Sequence, residues 1–230
     1  MDYKTFFKRF GGATRTKNLA GPGAPANRRA FALPGSSELP KDFIRLCPWE
    51  AEYLFTVARR ARLGIIETGR FNGGSCFVMA CAAPTTPIWS IDLEPQDDER
   101  LRSLFEATGV GGNVDLIVGD SQHAKYDQIG VADLLFIDAD HTYDGCLADI
   151  LNWYDCLAPN GHLVFHDAYL GSWGVQDAII DFWDDHPELE VVQSPFIGAN
   201  YWTYPAGSIC HFVKRGAITG PAKASAATPR

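Results

Sequence analysis

Residues 134–143 read Leu-Leu-Phe-Ile-Asp-Ala-Asp-His-Thr-Tyr, "LLFIDADHTY". Four large apolar residues in a row fit a strand buried on both faces, as in a parallel sheet covered by helices, rather than the alternation of a half-exposed strand. The run then breaks into two acids and a histidine, Asp138, Asp140 and His141. Doubly wound α/β sheets bind ligands beyond the carboxyl ends of their strands, near the topological switch point. The abrupt change of polarity therefore predicts a buried strand emerging at a ligand-binding edge.

The same unit recurs on either side. Upstream lie "GIIET" (64–68), a glycine-rich turn and the helical "SCFVMACAA" (75–83), then "IWSID" (88–92), the charged helix "QDDERLRSLFEAT" (96–108) and "VDLIVGD" (114–120). Downstream, the amphipathic "YDGCLADILNWYDCL" (143–157) leads to "GHLVFHD" (161–167) and a helical "WGVQDAIIDFWDDH" (173–186). A helix opened by Pro48 spans 48–62, and "LEVVQSP" (189–195) and "SICHFVK" (208–214) add two closing strands. Apolar runs alternating with amphipathic helices predict a Rossmann-like, doubly wound, mostly parallel seven-stranded sheet with helices on both faces. This domain is expected over residues 41–215. Residues 1–40 read as an N-terminal arm or lid, and 216–230 as a flexible tail.

Composition narrows the function. With 230 residues and 46% hydrophobic content, the chain can bury one good core without disulfides or a structural metal. Its formal charge of -8 argues against nucleic acid as a partner, because phosphate contacts need clustered Lys and Arg. The basic residues that do gather (Lys4, Lys8, Arg9, Arg15, Lys17, Arg28, Arg29) read as a solvated arm. No run is long and apolar enough for a membrane span, and no secretory h-region opens the chain, so a cytoplasmic protein without a membrane partner is expected. The six cysteines are scattered without a CxxC pair, which fits buried reduced thiols. An aromatic cluster in the arm (Tyr3, Phe6, Phe7, Phe10) is expected to pack on something, and makes a homodimer plausible.

Four of the five central strands end in an acid, Glu67, Asp92, Asp138 and Asp167, with Asp120 just past the remaining one. Helix capping is the competing explanation for any one of them, but five in register favour a ligand site. The first turn, "ETGRFNGGS" (67–75), lacks the GxGxxG spacing that seats a pyrophosphate. Its acid would repel phosphate and suit a cationic ligand. Asp92, about 20 residues on, is positioned to accept ribose hydroxyls, and Asp120 with Ser121 can meet an adenine edge. An adenosine with a positive charge and no phosphates describes S-adenosylmethionine.

These blocks, "IIETGRFNGGS", "SIDLEP", "VGDSQ" and "LLFIDADHTYDG", resemble the class I S-adenosylmethionine-dependent methyltransferases over about residues 48–214. They are most similar to small-molecule O-methyltransferases of the catechol and caffeoyl-CoA type, and to a bacterial branch with a D-x-D-H-x-Y block. The resemblance implies Glu67 and Gly69 by the methionine moiety, Asp92 at the ribose, and Asp120 with Ser121 near the adenine. The turn residues Asn72, Gly73 and Ser75 join them as cofactor-binding candidates. It also implies a divalent cation, Mg2+ or another, held by Asp138 and the pair His166-Asp167. That pair departs from the family's acid-amide pattern, and imidazole is an unusual partner for so hard a cation. In these relatives a lysine three residues after the fourth-strand acid is the base. Here the place holds His141, which titrates near neutrality and can take an acceptor's proton.

The expected activity is methyl transfer to a hydroxyl of a small molecule, a sugar, glycoside or natural product, with His141 and Asp138 catalytic. Tyr143, Tyr169, Trp173 and residues 194–208 are candidate walls of the acceptor pocket. Arg70 is the candidate contact for an anionic acceptor. Asp140 either orients a histidine or caps the next helix. Two other classes stay open from sequence: a nicotinamide-dependent oxidoreductase, disfavoured by the missing GxGxxG, and a non-catalytic adenosyl-ligand-binding subunit.

Overall fold

The run that opened the sequence reading forms β4 (Ala132–Ile137), and its Leu134, Leu135 and Phe136 have no exposed surface. The computed structural model describes residues 1–10, 39, 43–168, 174–194 and 208–216. Within them the other expected strands all form: β1 (Ile65–Thr68), β2 (Ile88–Asp92), β3 (Val114–Val118), β5 (Leu157–Phe165), β6 (Leu189–Gln193) and β7 (Cys210–Lys214). They make one seven-stranded sheet in the order β3-β2-β1-β4-β5-β7-β6. The five central strands are parallel, and only β7 runs antiparallel to its neighbours. The chain steps outward from β1 to β3 and returns to β4, so the strand order reverses between β1 and β4. Their ends align, with Thr68 opposite Ile137.

Both faces are covered, which is why the strands read as unbroken apolar runs. One face carries α1 (Tyr3–Phe10), α2 (Pro48–Ala58), α3 (Gly74–Ala82) and α4 (Asp98–Thr108), packed on Ile65, Leu134, Phe136 and Val164. The other carries α5 (Tyr143–Trp153) and α6 (Val175–Asp184), packed on Ile66, Leu135, Ile137 and Phe165. The helix expected over 48–62 stops at Ala58, and the one expected over 143–157 tightens into a 3-10 turn at Tyr154–Cys156. The helix caps are Asp97 for α4 and Thr142 for α5, so capping does not account for the acids that end the strands.

The described part of the N-terminal segment packs on the chain's own core. Its α1 inserts Phe6 and Phe10 fully into the core, where Phe10 meets Phe77 edge-on at 5.1 Å and Phe6 lies 5.4 Å from Phe55. Tyr3 donates to the Pro48 carbonyl at 2.8 Å. Burying two phenylalanines contributes roughly 2 kcal/mol each, enough to fix a short helix that would not persist alone. Arg15, Lys17, Arg28, Arg29 and the tail beyond Gly216 lie outside the described residues. All six cysteines are free thiols, as expected. Burial pushes Cys146 and Cys210 up to about 12, so they stay protonated and unreactive.

Candidate active site

A cavity of about 630 Å3 opens at the carboxyl ends of the strands, over the β1/β4 reversal. The turn after β1 supplies Gly69, Phe71, Gly74 and Ser75, and the end of β2 supplies Asp92, Leu93 and Glu94. Residues 120–123 follow β3, 138–141 follow β4, and His166 and Asp167 follow β5. Arg45 and Leu46, just before α2, complete the wall.

The turn after β1 approaches the end of β4 as closely as a backbone can. Gly69 has φ +83°, and a Cβ there would fall 2.2 Å from the Asp138 carbonyl oxygen, so only glycine fits. Asp92 holds the turn in place by accepting the backbone N–H of Arg70 at 2.8 Å and of Phe71 at 2.7 Å, and it also accepts Glu94 N–H at 2.8 Å. Arg70, read from sequence as a contact for an anionic acceptor, is spent elsewhere. Its side chain is wholly buried and pairs with both oxygens of Asp98 at 2.8 and 2.9 Å, and it donates to the carbonyls of Ser90 and Ile117. This guanidinium ties the turn to α4 and to the strands beneath.

Glu67 sits within β1, fully buried, and does not line the cavity. Ser75 donates to one of its oxygens at 2.5 Å and Ser90 donates to the other. Burial pushes its carboxyl up to about 7 against these hydrogen bonds and the charge of Arg70. Of the cofactor candidates, Gly69, Ser75, Asp92, Asp120 and Ser121 line the cavity, whereas Glu67, Asn72 and Gly73 do not. Gly73 acts one step back: its left-handed φ of +85° starts α3 without a side-chain cap.

On the wall that follows β3, Asp120 accepts Gln122 N–H at 2.8 Å and faces His123 Nδ1 at 3.1 Å. The loop is held from below by α5, a contact that no motif announced. Asn152 Nδ2 donates to the carbonyls of Ser121 and Ala124, both at 2.8 Å, and the Trp153 indole N–H donates to Ser121 O at 2.8 Å. Asp140 is not a helix cap. It accepts Thr142 N–H at 2.9 Å, and Thr142 caps α5 by accepting Gly145 N–H.

Across the cavity, two carboxylates and two imidazoles converge. His141 Nε2 lies 3.5 Å from Asp138 Oδ1 and 3.5 Å from Asp167 Oδ2. His166 Nδ1 lies 3.1 Å from Asp138 Oδ1 and 3.5 Å from Asp167 Oδ2. The other ring nitrogen of His166 faces Glu50 Oε2 at 3.3 Å. Glu50, on α2, escaped the sequence reading. Its carboxylate also accepts Cys47 N–H at 2.8 Å and both the N–H and hydroxyl of Ser208 at 2.9 Å. Burial alone would raise Glu50, but His166 and these donors hold it well below the carboxylate range. Burial likewise opposes charge on His166, yet Asp138 and Glu50 outweigh it and keep the ring an imidazolium. For His141 the neighbouring Asp138 carboxylate is the largest influence, and it raises the ring above its ordinary value.

A cation can be held here by Asp138, His141 and Asp167, whose ligand atoms lie within 4.8 Å of one another. The histidine in that group is His141. His166, expected from the resemblance as a ligand, has both nitrogens turned to carboxylates. Two carboxylate oxygens and one imidazole nitrogen fit a divalent ion, and suit Mn2+ or Zn2+ better than Mg2+. Tyr143 is absent from the cavity wall; its hydroxyl donates to Asp181 at 2.8 Å. Tyr169, Trp173 and residues 195–207 lie outside the described residues. His162 and His211 lie on β5 and β7 and hydrogen-bond each other at 2.9 Å, away from the site.

Residues 66–168 match the family described as "Methyltransferase domain". No curated protein matches the sequence. Among solved structures, the O-methyltransferase TomG from Streptomyces achromogenes, in complex with SAM, is similar with 20% identity over 75% of this chain and 82% of that one, at a TM-score of 0.58. The SAH-bound methyltransferase PaMTH1 from Podospora anserina is similar with 19% identity over 73% of this chain and 78% of that one, at 0.57. Cofactor-bound Rv0187 from MTB shares 22% identity over 77% and 84%, at 0.58. The family match, like the missing GxGxxG, points away from the oxidoreductase alternative. Residues 66–168 thus match a methyltransferase domain, and the chain has the fold of the class I, S-adenosylmethionine-dependent methyltransferases that its motifs resemble.

Proposed function

We propose that the protein transfers the methyl group of S-adenosylmethionine to a hydroxyl of a small molecule, with His141 as the base. One observation carries this reading. The wall of a single cavity joins an adenosine-suited end, Asp92 with Asp120 and Ser121, to the imidazole of His141, which faces Asp138 and Asp167 at 3.5 Å each. Its structural neighbour TomG is an O-methyltransferase, which supports oxygen as the acceptor atom.

S-adenosylmethionine would be held along Asp92, Asp120 and Ser121 and would supply an electrophilic methyl group, its C–S electron pair leaving on sulfur as the acceptor oxygen bonds to carbon. The chain's own residues align the partners and remove the proton. The His141 imidazole takes the hydroxyl proton, and Asp138 and Asp167, which face its Nε2, stabilise the imidazolium that results. His166, held between Glu50 and Asp138, fixes the Asp138 carboxylate for that task. A divalent cation, where present, would be held by Asp138, His141 and Asp167 and would lower the acceptor's pKa. His141 cannot be ligand and base through the same nitrogen, so the two routes are exclusive.

Transfer of radiolabelled methyl from S-adenosylmethionine to a panel of sugars, glycosides and phenols, with and without EDTA, tests this reading. Turnover that survives EDTA and is lost in His141→Ala is expected. No transfer to any hydroxylated acceptor would favour a binding subunit instead, and loss of turnover in EDTA restored by Mn2+ would make His141 a ligand.

A further inference from the structure

S-adenosylmethionine presents three chemically different ends: an adenosine, a sulfonium beside the methyl, and an amino acid with a carboxylate. On the cofactor reading above, Asp92 and Asp120 meet the first end and Asp138 with His141 stands by the second. The carboxylate needs a cation or strong donors, and the acids around the cavity repel it. Cations lining the cavity are few, and most are committed. Arg70 is buried against Asp98, His123 faces Asp120, and His141 and His166 face Asp138 and Asp167.

Arg45 is different. It lines the cavity, and among the described residues no carboxylate lies within ion-pair distance of it. Its guanidinium lies 5.6 Å from the centroid of the Phe71 ring, in the turn after β1. Stacking on a ring leaves the in-plane N–H donors available for a planar anion. The preceding backbone is clamped to the same turn: a Cβ on Gly74 would fall 2.6 Å from Ile44 Cα and from the Phe43 carbonyl oxygen. Arg45 thus belongs to the corner formed by Gly69, Phe71, Gly74 and Ser75. Glu67, expected from sequence at the methionine moiety, is screened from that corner's cavity wall by burial.

We infer that Arg45 binds the carboxylate of the cofactor's amino-acid end, at the corner of the cavity built by the turn after β1. This rests on S-adenosylmethionine being the cofactor. Calorimetric titration of the wild type and of Arg45→Gln with S-adenosylmethionine and with decarboxylated S-adenosylmethionine, which lacks only that carboxylate, tests it. The wild type is expected to favour the intact cofactor by roughly 10- to 100-fold, and Arg45→Gln to narrow that preference to within about threefold by weakening the intact cofactor alone. Arg45→Lys is expected to retain part of the preference. An unchanged preference in Arg45→Gln overturns the assignment. Equal weakening of both ligands also overturns it, because Arg45 would then act through the shape of the turn. A wild type that binds both ligands equally refutes the carboxylate contact alone, whereas one that binds neither refutes the cofactor reading itself.

Discussion

Replacing Glu50 by glutamine keeps the side chain's shape but turns one of its two oxygens into an amino donor. In the wild type both oxygens are fully engaged: one accepts the N–H and hydroxyl of Ser208, the other accepts Cys47 N–H and faces His166 Nε2. Whichever oxygen is lost, two donors lose their acceptor, and His166 loses the charge that balances it on the α2 side. Removing one partner of a buried ion pair costs about 3–5 kcal/mol. For a chain of this length that corresponds to a fall in Tm of about 6–20 °C. The pH dependence has a definite sign. The depressed Glu50 contributes stability above its ordinary value of 4.5 and loses it as pH falls through the folded value. The raised His166 contributes below its ordinary value of 6.5 and loses it as pH rises through the folded value. The deficit of Glu50→Gln is therefore largest between those two ordinary values and shrinks on acidification. Urea unfolding followed by tryptophan fluorescence at about pH 6 measures it. A loss below about 1 kcal/mol would refute the reasoning, since a charge pair so placed cannot be broken that cheaply.

Gly69→Ala drives a Cβ into the Asp138 carbonyl at a φ of +83°, and is expected to cost about 2–5 kcal/mol in thermal unfolding, against about 1 kcal/mol for Gly109→Ala, where the φ is +69° and the space is open. Glu67 is buried with a carboxyl near 7, so wild-type stability should fall as pH rises from its ordinary 4.5 to about 7; Glu67→Gln should flatten that slope, by at most about 3 kcal/mol, and parallel profiles would contradict the assignment. Once an acceptor is found, His141→Ala should lower kcat by about 100-fold or more while S-adenosylmethionine affinity changes less than about threefold in calorimetry. In the wild type kcat/KM should climb with pH through a midpoint above 6.5, because the neighbouring Asp138 carboxylate raises His141 and only the neutral ring accepts a proton.

Much of the fold was legible because a parallel strand buried on both faces leaves an unambiguous mark, a short apolar run, and amphipathic helices leave another. Seven strands were expected, and all seven form among the described residues. The acids beyond Asp92, Asp138 and Asp167 were legible for a related reason: chain polarity must change where a strand leaves the core for the ligand edge. Glu67 breaks that logic. It lies one residue before the end of β1, and in so short a strand one position separates a cavity wall from the buried interior.

The sequence by itself determined the alternation of elements, the edge of the sheet that carries the chemistry, and the residue types gathered there. Local hydrophobic periodicity and turn chemistry suffice for that. Only the tertiary structure decided what those residues do. Arg70 and Arg45 both belong to the cavity's first turn or its cover, yet one is buried against Asp98 and the other stays available at the wall. His166 is held by Glu50 from 116 positions away, and Glu50 in turn by Ser208 from 158 positions away. Charge balance in a buried site is settled by which elements pack together, and no spacing along the chain records that. The stretch Leu134–Tyr143 shows both halves of the division: its apolar run foretold β4, while the surroundings of Asp138, Asp140 and His141 came from residues just after β5, the cap of α5 and the loop after β3.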